Sequence, residues 1–264
     1  MSELTFIQLI TDYGVGDPAF GEVIQKLQIL RPGVYVNPTA VPSFNTIATG
    51  FWTAQYALVN PSPAMIIYTN TAPRKDNKES RKDNEGESLV YALLKNGMKV
   101  VGVNAGYCFS FIKAEMKALY KVEVVNKGSQ FRSRDFFPEA VVGIALGEEK
   151  YIGDTLNISE IPDVPKGRMA WVDGYGNIKT TMRQSEMNNY KSGQPVLVTL
   201  GHMKRTAWYS DGTFDVMEGE LAFAPGSTGG RDRFMELFLR GLSAWKELGK
   251  PNGEESLTVE PFDV

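Results

Sequence analysis

Two rhythms of apolar and polar positions run along this chain. In the first half, strand-like and helix-like stretches alternate. Phe6–Ile10 is a short apolar run that reads as a buried strand. Phe20–Leu30 (FGEVIQKLQIL) carries helical spacing and ends at Arg31–Gly33 (RPG). Val34–Asn37 reads as a short strand, and Asn45–Leu58 as a buried helix capped by Asn45. Met65–Thr69 is a strand opening into a polar loop. Leu89–Leu94 and Lys99–Val103 flank Asn96–Gly97, a strong hairpin signal. Ser110–Ala118 reads as a helix that turns Lys113 and Lys117 to solvent, Val122–Val125 as a strand, and Phe136–Leu146 as a helix with proline near its start.

The rhythm changes after Ile158. Ile161–Lys166 (IPDVPK) reads as a linker, and strand signals dominate beyond it: Arg168–Val172, Asn177–Thr181, Pro195–Leu200, Lys204–Tyr209 and Glu220–Ala224. Asn252–Val264 reads as loosely ordered. The pattern predicts an α/β protein. A Rossmann-like α/β domain with a mostly parallel sheet spans residues 1–160, and a small all-β domain, a sandwich or a barrel, spans residues 167–264.

Bulk composition narrows the chemistry. The chain has 264 residues, 42% apolar and 22% charged, with a formal net charge of −3. No basic stripe suits a nucleic acid, because the basic cluster Arg74–Lys82 is interleaved with acids and reads as a solvated loop. No apolar run reaches the roughly 18–20 residues of a membrane span, and no charged leader precedes Phe6, so no membrane partner is expected. The single cysteine, Cys108, excludes an internal disulfide and reads as a small core residue. The expectation is a cytoplasmic protein. One histidine, His202, and one cysteine cannot assemble the common zinc sites, so no metal is expected.

The richest segment is Ile10–Gly14 (ITDYG), where an apolar strand ends in Asp12. Two readings apply. Asp12 caps the next helix, or it projects beyond the carboxyl end of a strand into a ligand cleft, where an ionised carboxylate accepts two hydrogen bonds from the paired hydroxyls of a ribose. Three further segments accompany it: Gly128–Ala140 (GSQFRSRDFFPEA), Val172–Thr180 (VDGYGNIKT) and Glu218–Gly230 (EGELAFAPGSTGG). Both DGYGN and PGSTGG also read as ordinary turns.

In order and separation these three segments and Thr11–Gly21 (TDYGVGDPAFG) resemble the S-adenosyl-L-methionine (SAM) hydroxide adenosyltransferases, or SAM hydrolases, relatives of the SAM-dependent fluorinases and chlorinases. The resemblance covers nearly the whole chain. It implies a homotrimer with SAM as substrate rather than cofactor, bound where one subunit meets the next. It implies that Asp12 holds the ribose hydroxyls, that Asp17 approaches the methionine amino group, and that Phe44 walls the sugar. Asp173 and Asn177 would grip the amino-acid part or the adenine, Tyr175 would stack on the adenine, and Ser227 would anchor the methionine carboxylate. Asn104 falls in the second cleft loop, with Gly106 and Ser110; it also reads as a cap of a strand-to-helix turn.

The chain departs from the family at the chemistry. The family acid falls at Asn70 and the family histidine at Arg132, while the family arginine corresponds to Arg74 or Arg81. Asn70 takes no proton, and Arg132 is always charged, so it is no general base. A cation about 5 Å from a sulfonium repels it by roughly 1–3 kcal/mol. Three expectations follow. The chain binds SAM or adenosine with weak or no hydrolysis, Arg132 pointing away or pairing with Asp135. Alternatively, Arg132 binds an anionic nucleophile and the chain is an adenosyl transferase. In the third case it is a binding protein without chemistry.

Overall fold

The structure is a computed structural model that describes residues 3–73, 79, 86–125 and 127–262. The chain divides into two compact units, Met1–Asp163 and Val164–Val264, with the division falling inside the Ile161–Lys166 stretch.

The first unit is built on a seven-stranded sheet. Its strands are β1 (Phe6–Thr11), β2 (Tyr35–Ala40), β3 (Met65–Asn70), β4 (Leu89–Leu94), β5 (Lys99–Val103), β6 (Met116–Val122) and β7 (Ile152–Thr155), in the order β2-β1-β3-β5-β4-β6-β7. The expectation of a mostly parallel sheet is corrected. Pairings β1–β2, β1–β3 and β3–β5 are parallel, whereas β5–β4, β4–β6 and β6–β7 are antiparallel. The Asn96–Gly97 hairpin is the cause: Gly97 takes φ +84, Gly97 N–H donates to Leu94 O, and β4 folds back on β5. β1 and β3 are buried along almost their whole length, as strands covered on both faces must be. Pro38 lies in β2, at the sheet edge, where its missing N–H costs no internal ladder bond.

Helix α1 (Pro18–Leu30) starts at its N-cap Asp17, whose carboxylate accepts from Ala19 N at 2.8 Å, and buries Phe20, Val23 and Leu27. Helix α2 (Thr46–Ala54) is capped by Asn45, which accepts from Ala48 N at 2.8 Å, and continues as a wider turn over Gln55–Val59. Helix α3 (Arg132–Asp135) is a single turn that leads into α4 (Phe137–Leu146). Gly147, at φ +87, closes α4, and Lys99 Nζ donates to the last carbonyls, Ile144 O and Ala145 O.

The expected helix over Ser110–Ala118 and strand over Val122–Val125 are also corrected. Ser110–Glu115 is a tight 3₁₀ turn, and the strand is β6. Met116, Leu119 and Val122 are its buried residues, a spacing of three that imitates a helix. Register shifts against β4 and β7 produce that spacing. Lys117 is exposed as expected, but Lys113 pairs with Asp163 at 2.6 Å.

The second unit holds β8 (Met169–Val172), β9 (Ile178–Arg183), β10 (Pro195–Leu200), β11 (Met203–Tyr209), β12 (Leu221–Pro225), β13 (Phe234–Leu239) and β14 (Leu257–Pro261), with one short helix, α5 (Ala244–Glu247). The order is β14-β10-β11-β12-β13-β9-β8, antiparallel except for β11–β12. The two edges meet at one bridge, Arg168 to Ser256, where Met169 N donates to Glu255 O and Leu257 N to Gly167 O. The sheet is therefore half closed rather than a complete barrel. Ile178, Val196, Val198, Phe223, Met235 and Leu237 are among its core residues. The expectation of a loosely ordered terminus is corrected: β14 pairs along β10.

Among the described residues no helix is long and apolar enough to cross a membrane. Nor does any group of three or more His, Cys, Asp or Glu side chains gather where a metal ion could be held.

Candidate functional site

β1 is the strand from which the chain first steps sideways to β2 and then to β3 on the other side. Loops leaving the carboxyl ends of strands at such a reversal diverge and leave a crevice. A cleft of about 770 Å³ lies there. The β1–α1 loop supplies Asp12, Tyr13 and Asp17, the β2–α2 loop supplies Phe44, the end of β3 supplies Asn70, and α3 supplies Arg132 and Ser133.

Asp12 is the first residue beyond β1. It is half-buried, and its Oδ2 accepts from Phe44 N at 3.0 Å. It does not cap α1, which Asp17 does. Asp17 lines the cleft as well, although one carboxylate oxygen is committed to Ala19 N. Phe44 is 54% exposed and sits at φ +63, a left-handed conformation that a bulky residue adopts only when its surroundings impose it. The bond from Phe44 N–H to Asp12 is part of what imposes it.

Asn70 is buried and donates from Nδ2 to the Tyr13 hydroxyl at 3.1 Å. Tyr13 and Ser133 exchange a hydrogen bond of 2.5 Å between Oη and Oγ. Tyr68, fully buried on β3, donates to the Ser133 carbonyl at 2.9 Å. Burial pushes the Tyr13 phenol well above its ordinary value; the hydrogen bonds with Ser133 and Asn70 oppose that shift, and the charges of Asp12 and Asp17 add to it. Burial raises Tyr68 in the same direction. Both phenols stay protonated in neutral solution, so they act as hydrogen-bond partners and not as bases.

Arg132 lines the cleft and does not point away. Its guanidinium donates to Glu87 O at 3.2 Å, lies over the Phe137 ring at 5.4 Å, and abuts Gly86 so closely that a Cβ there would fall 2.0 Å from Nη2. The expected pairing of Arg132 with Asp135 is corrected. Asp135 binds Arg134 at 2.7 Å and Ser129 Oγ at 2.5 Å, and Arg134 reaches on to Glu22. Those bonds hold the carboxyl of Asp135 below its ordinary value. They also tie down the one-turn helix that presents Arg132 and Ser133.

Asn104 lies outside this cleft. It follows β5 on the exposed surface, and its backbone N–H donates to Ser88 O at 2.9 Å. Arg74 and Arg81 lie outside the described residues, as does all of Arg74–Lys82 except Glu79.

The remaining expected site residues belong to the second unit. Asp173 closes the β8–β9 connection: Oδ1 accepts from Tyr175 N and Asn177 N, both at 3.0 Å, and Oδ2 accepts from Asn177 Nδ2 at 3.0 Å. Tyr175 projects at 84% exposure. Ser227 is exposed beyond β12. The two loops leave the sheet at opposite ends, because Ile178 pairs with Leu237 while Pro225 pairs with Met235. A buried polar row joins their neighbourhoods. Lys179 Nζ lies 3.7 Å from Asp173 and 2.8 Å from Glu236, and Glu236 packs against Gly226.

Tyr13 and Ser133 are among the cleft residues that sequence reasoning missed. Both sit beside residues it singled out, but their contact spans 120 positions and leaves no periodic trace.

Neither a family model nor a curated protein matches the chain. Among the solved structures that match, two do so along nearly its whole length. An uncharacterized conserved protein from Thermotoga maritima is 19% identical, with 96% of this chain and 99% of that chain covered and a TM-score of 0.77. A conserved hypothetical protein from Thermus thermophilus is 20% identical, with 97% and 99% covered and a TM-score of 0.67. At these identities the likeness establishes a shared α/β fold of two mixed sheets.

Proposed function

We propose that this chain is a SAM-hydrolase-like protein that binds SAM or adenosine in the cleft beyond β1 and β3. The observation that carries the reading is the position of Asp12. A half-buried carboxylate at the carboxyl end of β1, flanked by the exposed ring of Phe44, suits a ribose and its hydrophobic face. If chemistry follows, it is displacement at the ribose 5′ carbon with release of methionine, driven by positioning and desolvation of the nucleophile. Asp173, Tyr175, Asn177 and Ser227 enter this reading through the family resemblance alone, as does the homotrimer.

A second reading is an adenosyl transferase with an anionic nucleophile. Arg132 on the cleft wall favours it, since a guanidinium binds anions and activates no water.

Calorimetry with SAM and with adenosine, followed by chromatography for adenosine and methionine, tests both readings. Asp12→Ala is expected to weaken adenosine binding at least tenfold, the order of one charge-assisted hydrogen bond. An unchanged affinity overturns the ribose assignment, and binding without turnover reduces the protein to a binder.

A further inference from the structure

A row of buried charges crosses the second unit between two loops that leave its sheet at opposite ends. At one end Gly226 follows β12, and its N–H donates to Phe234 O at 2.8 Å. Gly226 does not take a left-handed φ, so its missing side chain serves space and not backbone freedom. A Cβ there would fall 2.3 Å from Glu236 Oε2. Lys179 Nζ donates to that same oxygen at 2.8 Å, and both side chains lie inside the unit. On its other side the Lys179 ammonium is 3.7 Å from Asp173 Oδ2. Asp173 Oδ1 in turn accepts from the backbone N–H groups of Tyr175 and Asn177. One ammonium thus bridges two carboxylates, and a shift of either one leaves a desolvated charge behind it.

We propose that Lys179 is a positioning residue that couples the two loops: a displacement of Glu236 by the chain at Gly226 passes through the ammonium to Asp173 and loosens the β8–β9 turn that presents Tyr175. The inference concerns the second unit alone and does not depend on what the cleft binds. Attraction between unit charges a few ångströms apart is several times stronger in a protein interior than in water. A Glu236 carboxylate pushed from its place therefore draws the Lys179 ammonium after it and away from Asp173. Asp173 then turns to water, which competes for the Tyr175 and Asn177 N–H groups. The short helix α5 secures the turn only at Gly176, whose carbonyl accepts from Trp245 N at 2.9 Å. The carboxylate side of the turn is left to Asp173.

Amide hydrogen exchange in the full chain reads the coupling. Gly226→Ala is expected to speed exchange of the Tyr175 and Asn177 amides about five- to a hundredfold, the span of ordinary coupling between sites. The amides of β10, which β11 and β12 separate from the row, are expected to keep their rates. The control background is Lys179→Met with Glu236→Gln. There the added methyl meets a side chain of the same shape, but no ammonium carries the displacement onward. Gly226→Ala is expected to leave both turn amides unchanged in that background. Equal acceleration in the two backgrounds, or acceleration of β10 as well, means that the methyl loosens the sheet at large, and either result overturns the proposal. Turn amides that Gly226→Ala does not move in the wild-type background overturn it too. Glu236→Asp reaches the same row with no added atom, since its carboxylate stops one methylene short of Lys179. Faster exchange of the turn in that variant supports the coupling, and unchanged exchange overturns it even if Gly226→Ala fails to fold.

Discussion

Phe44 illustrates how a single residue can be kept at a cost to the fold. A left-handed backbone is unfavourable by about 1–2 kcal/mol for a residue with a Cβ, and glycine adopts it freely. At φ +63 with its ring 54% exposed, Phe44 gains little from burial. The bond from its N–H to Asp12 offsets part of the strain, and the ring forms one wall of the cleft. Strain retained beside a cleft is the pattern of a site whose geometry matters more than stability. Phe44→Gly is expected to leave the thermal midpoint unchanged or to raise it, while adenosine affinity falls. A drop in the midpoint with affinity intact would make the ring a structural element and remove Phe44 from the site. At this scale the sequence was most readable where one residue acts with near neighbours, as Asn45 does in capping α2. It was least readable where partners lie far apart in the chain, as Tyr13 and Ser133 do.

At the level of elements, β13 shows what an apolar pattern conceals. Its run, FMELFL, is interrupted by Glu236, which is only 6% exposed. A carboxylate inside a strand is tolerated because β9 places Lys179, also 6% exposed, directly across the ladder at 2.8 Å. Neither strand explains its charge alone, so the pair is invisible to a reading that takes one segment at a time. The same limit hid β6, where bulges replaced the period of two by a spacing of three. By contrast the Asn96–Gly97 hairpin, the α1 stop at Arg31–Gly33 and the strand over Pro195–Leu200 were plain, since local chemistry decides each. The pair yields a prediction. Removing one member of a buried ion pair leaves a desolvated charge and costs about 3–5 kcal/mol, whereas replacing both by apolar groups can be nearly neutral. Lys179→Met should therefore lower the urea midpoint sharply, and Lys179→Met with Glu236→Leu should recover most of the loss. If the double variant is as unstable as the single one, the row that runs on to Asp173 depends on Lys179 for more than neutralising Glu236.

On the scale of the whole molecule, five residues singled out from sequence, Asp12, Asp17, Phe44, Asn70 and Arg132, line one cleft although they span 120 positions. Parallel pairing of β1 with β2 and β3 is what gathers the first four, because it stacks three carboxyl ends side by side. Asn104 stayed outside: it follows β5, one strand further along the sheet than β3. The second unit raises a separate question of autonomy. Val164–Val264 contains both edges of its own sheet, the bridge that joins them, and a core of residues drawn from within it. A unit that buries its own apolar faces and satisfies its own ladders has what independent folding requires. The fragment Val164–Val264 is expected to unfold in urea in one cooperative step, with a slope on the order of 1 kcal/mol/M as befits a domain of this length. Near-ultraviolet circular dichroism of its tryptophans, Trp171, Trp208 and Trp245, should show fixed packing that disappears in the same step. A sloping transition with dye-binding apolar surface would mean that the half-closed sheet needs cover from elsewhere, and the division at Asp163 would then mark a change of architecture without a change of folding unit.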